Sequence, residues 1–508
     1  MFFNTKNKKM IKRIITPNTP VYRSSKTPAT AVFSPGLIAA KRLAYVAFLL
    51  SLASCKKFVE IPTPQTQLVT ASVFNNSASA TAALTNIYTQ MFNNSESYNI
   101  SQANGLLSDE LTNYSTFPYL TQYYTNGMVA NQSPGQWSNA YKYIYQSNAI
   151  MEALRNNSAI TSSVSNQLTG EAKFIRAFWH FYLANSYEDV PLVTTTAYEV
   201  NGTMARAAKE QVFQQVVTDL KDAQDLLNGN YVNASDTITT TERVRPTKWA
   251  AAALLARVYL NTAKYDSAEF YASAVIGNKS LYDTVSLNNV FLKNSKEAIW
   301  QIGTPLPNLS NLNTKDGYNY ILQGAPSTGG ANSQTLSPQL LNGFEANDQR
   351  KANWVSSITT GSNTYYFPYK YKIYSSATIS EYTMILRLGE QYLIRAEARA
   401  QQGNLNGAIS DIDIIRKRAG LPLIANTNPG ISQSALLSAI LHERQIELFT
   451  EWGYRWFDLI RTNNINSVMS VVTTLKGGTW NPDGHQALYP IPQTDRNSNP
   501  NLSQNMGY

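Results

Sequence analysis

The sequence predicts a mainly α-helical chain: tetratricopeptide-like helix pairs in one large domain, with long loop insertions and a small β element. Three observations carry that expectation. Apolar residues recur at three- and four-residue spacing through several long runs, two alanine-rich segments echo one another as helix, short turn and helix, and period-two aromatic alternation is confined to one stretch.

Residues 78–92 read as an amphipathic helix through Ala82, Ile87 and Phe92, and residues 137–154 repeat the pattern through Ala140, Tyr141, Ile144, Tyr145, Asn148 and Met151. Between them, residues 95–134 are aromatic, polar and read as mostly non-helical. Residues 170–183 are apolar nearly all round, which predicts a buried helix. It should stop before Asp189-Val-Pro-Leu192, because Pro191 disfavours helix at the residue preceding it. Residues 210–227 set Val212, Val216, Leu220, Ala223 and Leu227 on one face, and a polar loop, 228–241, separates them from a segment starting at Thr247. Residues 256–268 and 396–408 align on their alanines, small side chains that let two antiparallel helices approach closely. The copies are too far apart for a tandem array, so helix hairpins dispersed through the domain are expected. From about Trp300 to Tyr382, Gly and Pro accumulate, and Tyr365, Phe367, Tyr369 and Tyr371 alternate as one face of a small sheet.

Composition narrows the function. The single Cys excludes a disulfide framework and multi-cysteine metal centres, and His180, His442 and His485 are too scattered for a histidine-rich site, so no cofactor and no metal are expected. The net charge of +9 is confined to the leader: residues 1–54 carry nine basic side chains and no acidic ones, leaving 33 of each sign in the remainder. A nucleic-acid partner is therefore not expected, since phosphate neutralisation needs a basic surface.

Lys41-Arg42 precede an apolar run, 43–53, that is too short to span a bilayer and suits a signal-peptide core. It ends in Leu52-Ala53-Ser54-Cys55, placing the only cysteine directly after small residues, as a bacterial lipobox requires. The expected organisation is a signal peptide at 1–54, lipid attachment through acylated Cys55, and a proline-containing tether at 55–70. The remainder, an N-terminal helical region at 71–299 and a C-terminal region at 300–508, is expected to be one continuous globular unit.

Several blocks resemble the SusD/RagB family of Bacteroidota surface lipoproteins. They are the lipobox, Glu171-Ala-Lys-Phe-Ile-Arg-Ala-Phe-Trp-His-Phe-Tyr-Leu followed by Asp189-Val-Pro-Leu, and Arg387-Leu-Gly-Glu-Gln-Tyr-Leu-Ile-Arg-Ala-Glu-Ala. Further blocks are Ile414-Ile-Arg-Lys-Arg-Ala-Gly-Leu, the run from His442-Glu-Arg-Gln-Ile to Asp458-Leu-Ile-Arg461, and the ending Leu488-Tyr-Pro-Ile-Pro, Asn499-Pro-Asn-Leu and Asn505-Met-Gly-Tyr508. The resemblance implies four tetratricopeptide-like pairs and a lid on a SusC-like TonB-dependent outer-membrane transporter. It also implies capture of a nutrient at the cell exterior, most often an oligosaccharide, with peptide uptake known in some relatives.

Sugar binding needs aromatic rings against the pyranose C–H face and planar polar groups to orient it. The chain has 31 Tyr and 8 Trp, and residues 95–134 mix Tyr98, Tyr114, Phe117, Tyr119, Tyr123 and Tyr124 with Asn104, Asp109, Glu110, Asn113 and Gln122. The resemblance draws the ligand site from this N-terminal loop region and from the insertion after the central repeat, which includes Asp316. The expected ligand-binding set is thus Tyr98, Asn104, Asp109, Asn113, Tyr114, Tyr119, Tyr123, Tyr318, Asn319 and Tyr320, matched by place in the chain and not by motif. Trp137, Trp179 and Trp249 read as core, while Trp354 and Trp480 stay open between core and ligand.

No catalytic residue is expected. His442-Glu443-Arg-Gln-Ile446 lacks the second histidine of a zinc-protease helix, and no Gly-x-Ser-x-Gly is present. Glu443 and Glu447 share a helix face, where Arg444, Arg455 and Arg461 predict an ion-pair network. Asp109-Glu110 would serve as acid and base only in a deep cleft. Two rivals to nutrient capture are a protein-only tetratricopeptide-type adaptor and a surface glycoside hydrolase.

Overall fold

The computed structural model describes residues 73–131 and 136–508. The leader, Cys55 and the tether lie outside the described residues. Helices run in order as α1 (Ser77–Asn93), α2 (Glu96–Leu107), α3 (Pro118–Tyr124), α4 (Gln136–Leu154), α5 (Ser162–Tyr187), α6 (Lys209–Leu226), α7 (Lys248–Asn261) and α8 (Tyr265–Gly277). The second half adds α9 (Lys315–Tyr320), α10 (Pro338–Gly343), α11 (Gln349–Trp354), α12 (Leu388–Gln401), α13 (Leu405–Arg418), α14 (Gln433–Leu448), α15 (Tyr454–Arg461), α16 (Ile465–Leu475) and α17 (Gln493–Ser498). Side chains cap several of them: Asn76 accepts from Ser79 N–H at 3.0 Å ahead of α1, and Asn404 from Gly407 N–H at 3.0 Å ahead of α13. Among the described residues no helix is long and apolar enough to cross a membrane.

Strands are short and pair across long sequence distances. β1 (Leu111–Asn113) pairs antiparallel with β3 (Gln334–Leu336), β2 (Ala298–Ile302) with β6 (Thr383–Arg387), and β4 (Val355–Thr360) with β5 (Asn363–Pro368). β2 spans the 299/300 junction between the two expected regions. The period-two aromatic run is only partly strand, since β5 ends at Pro368; Tyr369 and Tyr371 follow it, and Tyr371 is buried in the main core.

The two alanine hairpins, α7–α8 and α12–α13, are neighbours in space. α8 packs on α12, and Ala256, Leu260, Ala268, Ala272, Ile394 and Ala398 form one buried cluster between them. What the sequence presents as dispersed copies is therefore a continuous row, α4 to α8 and then α12 and α13, with the intervening residues looped out. Both hairpin turns close alike: Lys264 N–H donates to Tyr259 O at 2.8 Å, and Asn404 N–H to Arg399 O at 2.9 Å.

Residues 95–134 differ from expectation, because α2 and α3 occupy much of them. α2 is buried from Glu96 to Leu107 apart from Asn99, so it has no amphipathic stripe to reveal it. Its polar side chains pair with distant segments: Ser97 donates to Asp316, Ser101 accepts from Trp452 N–H, and Gln102 donates to Gln334. Tertiary partners override the weak helical pattern. Trp179 and Trp137 are core as expected and Trp249 is half-buried, while Trp354 and Trp480 are both buried and so belong to the core.

Candidate functional site

A buried polar layer underlies an exposed aromatic ledge. In that layer Tyr98 donates to Gln334 Oε1 at 3.0 Å, and Gln102 donates to Tyr98 Oη at 2.6 Å, to Gln334 Oε1 at 3.0 Å and to the carbonyl of Gly330 at 3.4 Å. The Tyr98 ring meets Tyr320 edge-on at 4.9 Å. These bonds pin the loop 327–333 from below.

Above the layer, that loop is zipped to residues 114–117. Tyr114 N–H donates to Ser333 O at 2.8 Å and Thr116 N–H to Thr328 O at 3.0 Å, and Asn113 turns the chain by accepting from Ser115 N–H at 3.1 Å. The strand pair β1–β3 leads into both loops, so an exposed segment is held by backbone bonds from a rigid base. The side chains it displays are Tyr114, Phe117 and Tyr119, which are 39%, 44% and 40% exposed. Phe117 and Tyr119 lie 6.0 Å apart and cover Gly330, where an added Cβ would sit 3.2 Å from the Phe117 ring.

The ledge continues onto the β4–β5 hairpin. Tyr114 meets Tyr365 edge-on at 5.7 Å. Tyr365 and Tyr374 both pack on the small cluster of Ile321, Leu322 and Phe367, and Tyr374 stacks on Tyr318 at 5.0 Å. Ring contacts on either side of this cluster thus join the two chain segments that the sequence offers separately. Tyr365 and Phe117 stand outside the expected set. The alternation in β5, which turns Tyr365 and Tyr366 to opposite faces, is the available signal for the first.

The expected residues divide sharply by burial. Tyr114 and Tyr119 are exposed, and Asn113, Tyr318 and Asn319 are half-buried. Tyr98, Asn104, Asp109, Tyr123 and Tyr320 are buried, so in this structure they support the surface and present no face to a ligand. Asn104 accepts from Tyr489 Oη at 3.2 Å, and Tyr123 stacks on Tyr489 at 6.3 Å. Asn319 spends its amide on the Lys315 carbonyl at 2.7 Å, which closes the last turn of α9. The physical reason for Tyr98 and Asn104 is that α2, expected as open loop, runs through the interior; Tyr320 is buried against Tyr98, Tyr123 against Tyr489 and Asp109 against Arg455.

The candidate acid–base groups are locked as well. Asp109 is held by Arg455 at 2.8 and 2.7 Å; burial pushes its carboxyl up, but that guanidinium outweighs burial and leaves it below the ordinary range. Glu110 accepts from Thr450 N–H at 3.2 Å, and burial together with the charge of Asp109 pushes its carboxyl up to about 8. Among the described residues both groups are packed away from solvent. Glu443 and Glu447 do enter an ion-pair network, with different arginines from those expected. Glu447 meets Arg387 at 2.6 Å, Arg350 at 3.2 Å and Arg418, while Glu443 meets Arg350 at 2.5 Å and Arg416 at 3.2 Å. Arg444 and Arg461 pair with Asp458 instead, and Arg455 with Asp109. Helix neighbours in sequence point around the helix, whereas the true partners come from α11, α13 and β6.

Two family models match the chain: one described as starch-binding associating with outer membrane over residues 58–260, and one described as the SusD family over residues 349–508. Together they take in more than two thirds of the sequence. SusD-like protein P25 of Formosa agariphila is 23% identical over 92% of this chain and 99% of its own length. A SusD superfamily structure from Bacteroides vulgatus superposes with a TM-score of 0.73 at 22% identity, over 85% of this chain and 99% of that one. A laminarin-binding SusD-like protein superposes with a TM-score of 0.68 at 23% identity, over 85% of this chain and all of that one. The full-length match to the relatives, the mainly helical fold and the terminal sequence blocks agree, and the chain belongs to the SusD/RagB family.

Proposed function

We propose that this protein is a glycan-capturing lipoprotein of the outer membrane, anchored through acylated Cys55 and displayed outward, which hands its ligand to a SusC-like TonB-dependent transporter. The observation that carries the reading is the ledge of Tyr114, Phe117 and Tyr119, exposed neutral rings held by a hydrogen-bonded loop pair, with half-buried Tyr365 against Tyr114. Exposed rings on a rigid base suit the apolar face of a sugar and lose little freedom on binding. Asn113 ends β1 at the base of the ledge, and Tyr318 and Asn319 lie on α9, whose carbonyls Asn332 ties to the 327–333 loop; these residues would contribute polar edges. The names of relatives, one starch-binding model and one laminarin-binding structure, support a glucan as the first ligand class to try. The burial of Asp109 and Glu110 favours binding over hydrolysis, because neither carboxyl reaches a surface where a glycosidic bond would lie.

The test is affinity electrophoresis of the full chain in mild detergent through gels containing starch, laminarin and other polysaccharides. Retardation by one polymer, weakened by Tyr114→Ala and by Tyr119→Ala, is the expected result. An absence of retardation across the panel would turn the reading towards peptide uptake or a protein-only adaptor.

A further inference from the structure

A second aromatic surface lies away from the ledge, on the helical row. α4 carries Trp137, Tyr141 and Tyr145 at intervals of four, one stripe down one face of the helix. That stripe forms a wall of a cavity of about 530 Å³, a volume in the range of small-ligand pockets. Tyr198 forms another wall. Trp137 is almost fully buried, whereas Tyr145 and Tyr198 are 51% and 75% exposed, so the cavity grades from a buried floor to an open aromatic mouth.

The walls are built, not incidental. The strap that carries Tyr198 is tied at four points: Tyr141 Oη donates to Pro191 O at 2.9 Å, Asn148 donates to Val193 O and Thr195 O at 3.3 Å each, and Glu152 accepts from Thr196 N–H at 2.9 Å. The floor is the C-terminal segment, where Asp495 accepts from Trp137 Nε1 at 3.1 Å and Asn499 donates to Met204 O at 2.8 Å. Both walls therefore keep their separation without a ligand, which lowers the ordering cost of filling the cavity.

The polar groups discriminate among ligands. Asp495 and Thr494 sit on one side and Asn201 on another, and the Asn201 amide oxygen is buried without a hydrogen-bond partner. An orphan acceptor of this kind asks for a donor. Among the described residues, none that lines the cavity is basic, which argues against an anionic ligand. Both oxygens of Asp495 already accept from neutral donors, Trp137 and Thr494, which favours hydroxyl donors over a lone cation. Rings for C–H faces and acceptors for hydroxyls together describe a neutral sugar.

We propose that this cavity is a second saccharide site, separate from the ledge, that takes one or two neutral sugar rings of a short oligosaccharide or chain end. The proposal rests on the glycan-capture reading and gives it a division of labour: the ledge holds polymer by its length, and the cavity holds an end. Tyr145 and Tyr198 stack on the sugar, Asp495 and Thr494 take its hydroxyls, and a small turn of the Asn201 amide would bring its orphan oxygen to a further one.

The experiment is isothermal titration of the full chain in detergent with malto- and laminari-oligosaccharides of two to six units. Tyr145→Ala with Tyr198→Ala is compared with Tyr114→Ala with Tyr119→Ala; all four side chains are exposed, so both double variants should fold. An oligosaccharide whose affinity falls about tenfold or more in the first pair, and is kept in the second, establishes the site. Loss of oligosaccharide binding only in the second pair overturns the cavity and leaves the ledge standing. Retardation by polymer with no oligosaccharide binding at all likewise overturns the cavity alone. Absence of both polymer and oligosaccharide binding overturns the cavity and the glycan-capture reading together. Preferential binding of tetramethylammonium, added as a cation control, would reassign the cavity as an aromatic cage for amines.

Discussion

The ionic cluster around Arg387 and the aromatic ledge around Tyr114 invert the usual placement of charge and apolar surface. Arg387 is 1% exposed and engages Glu297, Glu447 and Glu451, with Arg350, Arg418 and Lys370 closing the cluster. The ledge leaves Tyr114, Phe117 and Tyr119 in water, with no charged side chain among the rings that form it. Buried charges persist only when every one of them is paired, so the cluster specifies how β6, α13 and α14 meet. Rings left partly in water gain less from folding than buried ones, and a cluster of them on one surface suits a face to be contacted. The residues that look most like chemistry in the sequence are architecture, and the blander aromatics form the surface proposed for recognition.

Breaking the cluster should have the largest effect. Arg387→Met leaves Glu447 and Glu451 buried beside a lost partner and should cost about 3–5 kcal/mol in urea unfolding. A loss below about 1 kcal/mol would remove the contrast with the ledge.

Gly389→Ala tests the same cluster without touching a charge. An added Cβ would lie 2.5 Å from Arg387 Nη1 and 2.8 Å from Glu297 Oε1, so displaced ion pairs should cost about 1–3 kcal/mol. Thermal unfolding of this variant reports how closely the network must fit.

Acid and base should act differently on Glu447 and Glu110. Burial pushes the Glu447 carboxyl up, but Arg418, Arg387 and Arg350 outweigh it and hold it well below the ordinary range. Its stabilisation is therefore complete above the unfolded value and lost as pH falls through the folded one, so the cluster weakens below about pH 4. Glu110, at about 8, has the opposite sign: its contribution is complete below about 4.5 and disappears as pH rises through 8. Glu110→Gln keeps an acceptor for Thr450 N–H and should gain stability over the wild type between pH 5 and 9, by about 1 kcal/mol or more at the upper end. A melting-temperature difference that stays flat with pH would show that Glu110 is not held protonated.

Tyr119→Ala should change stability least, within about 0.5 kcal/mol, because the ring is 40% exposed. Its retardation by the polysaccharide that the wild type binds should nevertheless fall. A large loss of stability would reclassify the ledge as core.

Much of the helical row is legible from sequence, because α1, α4, α6 and the two alanine hairpins each show one apolar face to the core. α2 is not, since a helix buried on all sides with its polar groups paired has no stripe. That single miss moves Tyr98 and Asn104 from the expected surface into the interior. The aromatic stripe of Trp137, Tyr141 and Tyr145 is visible, yet periodicity reads it as a core face; only Tyr198, brought from a different loop, makes it a cavity wall.

By itself the sequence determined the family-like blocks, the mainly helical class and the enrichment of Tyr and Asn in the two loop regions. These are local properties: periodicity, composition and short motifs survive without knowledge of what lies across the fold. Tertiary structure alone decided which tyrosines are exposed, which arginines meet Glu447, and that α8 packs on α12. Each of those is a meeting of segments tens to hundreds of residues apart. Burial and pairing belong to such meetings, and no local pattern encodes them.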